Sequence, residues 1–128
     1  MLSVEPDGLG MPRGLYLGDL SASAQSALEA SVPSGSRYDL VKVAHHGSAD
    51  QLPALYAHVR PRVALIGVGA DNDYGHPRAE TLAFLEAGGV EIIRSDVDGL
   101  ALTRLVTRDG ATQLELWREH ARAVVPAG

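Results

Sequence analysis

Two histidines stand side by side, His45 and His46, followed by Gly47 and Ser48, at the end of the apolar run Leu40-Val41-Lys42-Val43-Ala44. Imidazole nitrogen binds borderline metals and carries protons near neutral pH, and a following glycine lets backbone come close to a ligand. Two readings stay open for the pair: one exposed loop histidine beside one that hydrogen-bonds locally, or a metal or phosphate site. Two more polar stretches bear on the choice, Gly18-Asp19 and Asn72-Asp73-Tyr74-Gly75-His76-Pro77. Asp19 is either a helix-start aspartate near the dipole or a carboxylate aimed into a site. His76 either merely caps a helix or packs on Tyr74, or serves a helix N-terminus where anions bind. An aspartate and histidines from separate loops are zinc-type ligands, and a carboxylate can also bridge two ions.

Such residues meet only if strands carry them to one edge, and the flanking pattern supplies those strands. Leu2-Ser3-Val4 and Gly14-Leu15-Tyr16-Leu17 read as two strands of a hairpin, with a turn at Pro6-Asp7-Gly8 and a loose linker from Leu9 to Pro12. Leu20 to Ser31 reads as a helix capped by Ser21 or Ser23, with Ala24, Ala27, Leu28 and Ser31 on one face. The central strand and its histidine turn follow. Asp50 is the expected cap of the next helix, where Pro53 fits the first turn and Leu52, Leu55, Tyr56 and Val59 form a stripe; His58 is expected on its solvent face. Val63 to Val68 is nearly all apolar, as a strand buried on both faces is. Pro77 opens a helix to Ala87, stopped by Gly88-Gly89. Val90–Ile93, Gly99–Val106 and Thr112–Trp117 read as further strands, with Asp96, Asp98 and Asp109-Gly110 as turn chemistry and Trp117 as a packing residue. Residues 118–128 are expected to be a frayed tail. The three polar stretches thus each follow a strand, where open α/β sheets bind ligands.

The chain has 128 residues, 45% of them hydrophobic, and a net charge of −5, which together indicate one globular domain and exclude a broad basic face for duplex nucleic acid. With no cysteine, disulfides, thiolate metal sites and cysteine nucleophiles are all absent. No apolar run approaches the roughly 20 residues of a membrane helix, and the first residues lack the basic and apolar blocks of a signal peptide.

Taken in order, Leu17-Gly18-Asp19-Leu20, Asp39 to Ser48, Arg60-Pro61-Arg62-Val63-Ala64, Asn72 to Pro77 and Asp96-Val97-Asp98-Gly99 resemble the C-terminal half of the metallo-β-lactamase-like domain of ComEC-type competence proteins. The resemblance covers about residues 2 to 117. It implies an α/β fold, half of an αββα sandwich, with a mixed sheet and helices packed on one face. It further implies a metal-dependent nuclease or phosphodiesterase that acts during DNA uptake. By match to the family's motifs, Asp19 and His46 would be metal ligands, with Asp19 bridging two ions. His45 and His76 would assist catalysis, and Ser48, Asn72 and Tyr74 would line the substrate side. The cofactor would be zinc or manganese, and the partners DNA and the membrane channel of the parent protein. The parent would lie in the cell membrane, with this domain on its outer side.

One departure is large. The family's early His-x-His-x-Asp-His cluster, which supplies most of the ligands, has no counterpart here, where the histidines are His45, His46, His58, His76 and His120. The chain is therefore expected to be a later half-domain, inactive alone, that pairs with the missing N-terminal half or with a second copy across an exposed sheet face. A non-catalytic module for assembly or DNA contact, and a small-molecule metallo-phosphoesterase fragment, are the alternatives.

Overall fold

The computed structural model describes residues 1–5 and 10–120. Five strands form one mixed sheet in sequence order: β1 (Leu2–Val4), β2 (Gly14–Tyr16), β3 (Leu40–Lys42), β4 (Val63–Ile66) and β5 (Glu91–Arg94). β1 pairs antiparallel with β2, and the other neighbours are parallel. Helices α1 (Ala22–Ser31), α2 (Pro53–Val59) and α3 (Ala79–Ala87) are the three crossovers. Parallel strands added one after another by right-handed crossovers put every helix on the same face. The short turn α4 (Ser95–Asp98) then leads into an antiparallel hairpin of β6 (Ala101–Arg108) and β7 (Ala111–Arg118). Among the described residues, no helix is long and apolar enough to cross a membrane.

The side-chain period of two divides the sheet between two cores. Leu15, Leu17, Val41, Val43, Ala64, Ile66 and Ile92 face the helices, where Leu55, Tyr56, Val59 and Leu85 meet them. The alternate residues Leu40, Val63 and Ile93 face the hairpin and pack on Leu114 and Leu116. This corrects the expectation of a bare sheet face, since all three are 3% exposed. On this side of the molecule, apolar side chains are exposed instead at Val97 and Leu100 and on the outer side of the hairpin, at Leu102 and Trp117. Buried Asp98 holds the hairpin, accepting from the backbone N–H of Arg94 and from the Arg118 guanidinium.

Several local expectations change once neighbours are present. Ser21 caps α1 as anticipated. The inward residue of that helix, however, is Gln25, which is wholly buried. Its Nε2 donates to the Leu20 carbonyl at 2.9 Å and to Gln51 Oε1 at 3.2 Å, and its Oε1 accepts from the Leu52 N–H at 2.9 Å. Asp50 does not cap α2; it accepts from the Ala22 N–H at the start of α1. α3 begins at Ala79, after Pro77 rather than at it. The linker before β2 is tied down where it is described, with Pro12 buried and the Gly10 carbonyl accepting from Leu105 at 2.8 Å. The anticipated turn at residues 6–8 and the end of the tail, 121–128, lie outside the described residues.

His58 is not a free surface residue either. Its Nδ1 lies 3.0 Å from Glu29 on α1, and that hydrogen bond, with help from the Pro33 carbonyl, raises its pKa above 6.5. The folded chain thus holds the imidazolium to higher pH than the unfolded chain does. The stabilisation is complete below the unfolded value and fades as pH rises through the folded one. Urea midpoints measured between about pH 5 and 8 should fall toward the alkaline end, and Glu29→Gln should flatten that slope. For Gln25→Leu, which strips buried backbone groups of their partners, unfolding free energy should drop by about 2–4 kcal/mol. The exposed neighbour change Ser26→Ala should stay within about 0.5 kcal/mol.

Candidate active site

The strands deliver their polar loops to one rim. β2 ends at the Gly18-Asp19 turn, β3 runs through Val43 into a 3-10 turn at Ala44–Gly47, and β4 leads to Gly67. The loops are bonded to one another through backbone. Leu17 N–H donates to Lys42 O, Val43 N–H to Leu65 O, His45 N–H to Gly18 O at 2.8 Å, and Arg78 N–H to Gly47 O at 2.9 Å. The Asp19 loop, the histidine loop and the start of α3 are therefore held by direct hydrogen bonds.

The histidine turn has an uncommon backbone. His45 (φ 48°), His46 (φ 54°) and Gly47 (φ 79°) are all left-handed. For residues with a Cβ this region is costly, and histidine is among those that enter it more often. Gly47 is required for a second reason: an added Cβ would sit 2.7 Å from Pro77 Cβ. Buried side chains support the turn from below. Tyr56 Oη accepts from the Ala44 N–H at 3.4 Å and donates to Gln51 Oε1 at 2.6 Å, while Gln51 Nε2 donates to the Ala44 carbonyl at 2.8 Å. Burial pushes the Tyr56 phenol well above its usual range, so it stays a neutral donor. Thr81 on α3 donates to the Ser48 carbonyl at 2.8 Å.

On this frame the imidazoles gather. The rings of His45 and His76 meet edge to face with centroids 5.9 Å apart, and His45 and His46 lie 6.4 Å apart. His46 Nδ1 is 2.5 Å from the Gly67 carbonyl oxygen. A carbonyl only accepts, so Nδ1 carries the hydrogen, and in the neutral ring Nε2 keeps its lone pair. This tautomer-fixing bond is the one metal-bound histidines make with their second nitrogen. Partial burial, followed by the charges of Arg78, His45 and His46, lowers the pKa of His76 and favours its neutral form.

The remaining residues divide. Asp19 is exposed at the rim. Tyr74 is 77% exposed and stacks on His76 at 5.9 Å. Asn72 closes the loop on itself, its amide donating to the Gly69 and His76 carbonyls and accepting from the His76 N–H. Ser48 is buried, and its hydroxyl accepts from the Asp50 N–H. Lys42, for which the strand pattern predicts no role, belongs to the same rim. Its stem passes Gly67, where an added Cβ would lie 3.5 Å from Cε. Burial lowers its pKa and the nearby Asp19 carboxylate opposes that shift. A lone lysine within an apolar strand is the signal that would have flagged it.

Asp19 and His46 carry the donor atoms a borderline cation takes. Even so, among the described residues no three His, Asp or Glu side chains converge as a metal-holding group. Three protein ligands are usual for a catalytic zinc, so the described residues do not by themselves make up a complete centre. The turn geometry is open to test. Gly47→Ala combines a left-handed Cβ with the Pro77 clash, so it should lower stability by about 1–3 kcal/mol and shift the His45, His46 and His76 ring resonances together in NMR spectra.

No family model matches the chain, and no solved structure matches it. ComE operon protein 3 of Bacillus subtilis (strain 168) is 29% identical to it over 97 residues, which make up 75% of this chain and 12% of that protein. The chain thus spans a small part of the relative's length.

Proposed function

We propose that this chain works in DNA uptake as the later half of a metallo-β-lactamase-like phosphodiesterase domain, supplying Asp19 and His46 to a metal centre whose other ligands come from elsewhere. One observation carries the reading. His46 has its Nδ1 committed to the Gly67 carbonyl, which leaves Nε2 as a prepared donor on a strained, braced turn. The likeness to ComE operon protein 3, together with the ordered motifs from Asp19 to Asp98, points the reading to competence. The surrounding residues would suit a nucleic-acid backbone and base. His45 and His76, whose rings meet at the rim, would donate hydrogen bonds to a phosphate, and Tyr74, stacked on His76 and exposed, would offer a flat face to an unpaired base. Because the donor set is incomplete in the described residues, the chain alone is expected to bind metal weakly and to leave DNA uncut.

Zinc or manganese titration followed by calorimetry and by histidine 15N shifts tests this. The wild-type chain should take up zinc with a coordination shift on His46 Nε2. Asp19→Ala and His46→Ala should each weaken uptake by about tenfold or more. Unchanged uptake in both variants would remove the site.

The incomplete donor set also favours a second reading, a non-catalytic module that contacts DNA. Under that reading single-stranded DNA binds without metal, its affinity falls with salt, and Tyr74→Ala weakens it while Asp19→Ala does not.

A further inference from the structure

The opposite rim of the sheet carries a second feature. Where β4 and β5 begin, between α2 and α3, lies an open cavity of about 610 Å³. Its apolar side is formed by Tyr56, Phe84 and Val90, and the two rings lie 5.2 Å apart and tilted. Its polar side is formed by Arg37, Arg60 and Arg62. Gly88 and Gly89 line the mouth and place no side chain across it.

Three observations make this more than a surface dent. First, none of the lining residues is acidic. In a chain of net charge −5, three arginines without a lining carboxylate concentrate positive charge against the overall balance. Second, two of those guanidinium groups are uncommitted. Arg62 lies 3.9 Å from Asp39, whereas Arg37 and Arg60 have no side-chain hydrogen bond or ion pair among the described residues. Third, Arg60 occupies the left-handed C-cap of α2 (φ 49°, ψ 56°). Glycine is the unstrained residue there, so the backbone bears a cost for keeping a long cation at the mouth.

We propose that this cavity binds a nucleotide, with the phosphate on Arg37 and Arg60 and the base against Phe84 and Tyr56. Guanidinium pairs bind phosphate through parallel hydrogen bonds, and two free ones match a phosphomonoester carrying close to two negative charges. The volume is in the range of small-molecule sites, and the aromatic floor distinguishes a nucleotide from a bare anion. The inference does not rest on the metal reading, since it uses other residues on the other rim.

Deoxyadenosine monophosphate is the probe, titrated into the full chain by calorimetry and by NMR. It should bind saturably, and deoxyadenosine and inorganic phosphate should each bind about tenfold more weakly or worse. Arg37→Gln and Arg60→Gln should each weaken binding about tenfold, whereas Arg104→Gln, which does not line the cavity and is paired with Glu115 on the hairpin, should leave it unchanged. Arg60→Gly guards against misfolding as the cause of loss. It relaxes the left-handed cap, so it should be at least as stable as the wild type while losing affinity. Absence of saturable binding, equal loss in Arg104→Gln, or full affinity in Arg60→Gly would overturn the proposal. So would inorganic phosphate or deoxyadenosine binding as tightly as the nucleotide. Capture by phosphatidylglycerol vesicles that depends on Arg37 and Arg60, without nucleotide binding, would make the rim a membrane contact instead.

Discussion

Backbone that leaves a buried strand and turns within the protein must find hydrogen-bond partners, because water is not there to supply them. In this fold that requirement falls on Ala44, which opens the turn one residue beyond β3 and is wholly buried. A hydroxyl and an amide meet it: the Ala44 N–H donates to Tyr56 Oη, and its carbonyl accepts from Gln51 Nε2. Gln51 is in turn bonded to Gln25, which reaches the Leu20 carbonyl beyond Asp19 and the Leu52 N–H at the start of α2. One buried amide chain therefore spans the Asp19 turn, the histidine turn and the entry to α2. A satisfied buried network fixes geometry, and the same network with a member removed is costly. The positions of the candidate ligands depend on residues that cannot themselves touch a ligand.

That bracing accounts for the strain above it. Two consecutive non-glycine residues in the left-handed region cost on the order of 1–2 kcal/mol each. At His45 and His46 the turn keeps that conformation because its neighbours over-determine it. His45 donates its N–H to Gly18, Ser48 donates to the His45 carbonyl, Gly47 accepts from Arg78, and the His46 ring is fixed to Gly67. Relaxing either histidine into an ordinary region would break bonds to three different loops. The energetic result is a rigid presentation of imidazoles on the rim rather than a flexible histidine pair, which suits groups that must be in place before a ligand arrives.

Strand ends, and thus the loops that carry chemistry, were legible in the sequence because buried parallel strands leave apolar runs bounded by glycine and acid. The stripe Leu55, Tyr56 and Val59 was legible for the same reason, since apolar period follows the helix turn. What stayed hidden were polar residues whose roles depend on distant partners. Gln25 reads as a surface amide on α1 until the Leu20, Gln51 and Leu52 groups surround it. Asp50 reads as the cap of the helix that follows it, yet its carboxylate serves the helix before it, because α1 and α2 pack side by side on one sheet face. His58 reads as exposed until Glu29 of the same neighbouring helix is near. Lys42 reads as an ordinary strand position, because alternation explains its place without explaining its charge. In each case local pattern gave the element, and only the packing of separate elements gave the side chain's partner.

Uniform crossovers also leave the sheet with two unlike rims. Every loop after a parallel strand lies at one edge and every loop before one lies at the other, so Asp19, His45, His46 and His76 cannot mix with Arg37, Arg60 and Arg62. α2 runs between the edges, and Tyr56 belongs to both settings. Its hydroxyl completes the bonds of Ala44 under the histidine turn, while its ring lines the arginine-mouthed cavity beside Phe84. The ring needs a tilted neighbour and a rigid helix to stay where the hydroxyl can reach Ala44, and α3 supplies that neighbour. The packing of Tyr56 on α2 against Phe84 on α3 thus supports the imidazole rim and shapes the guanidinium rim at once.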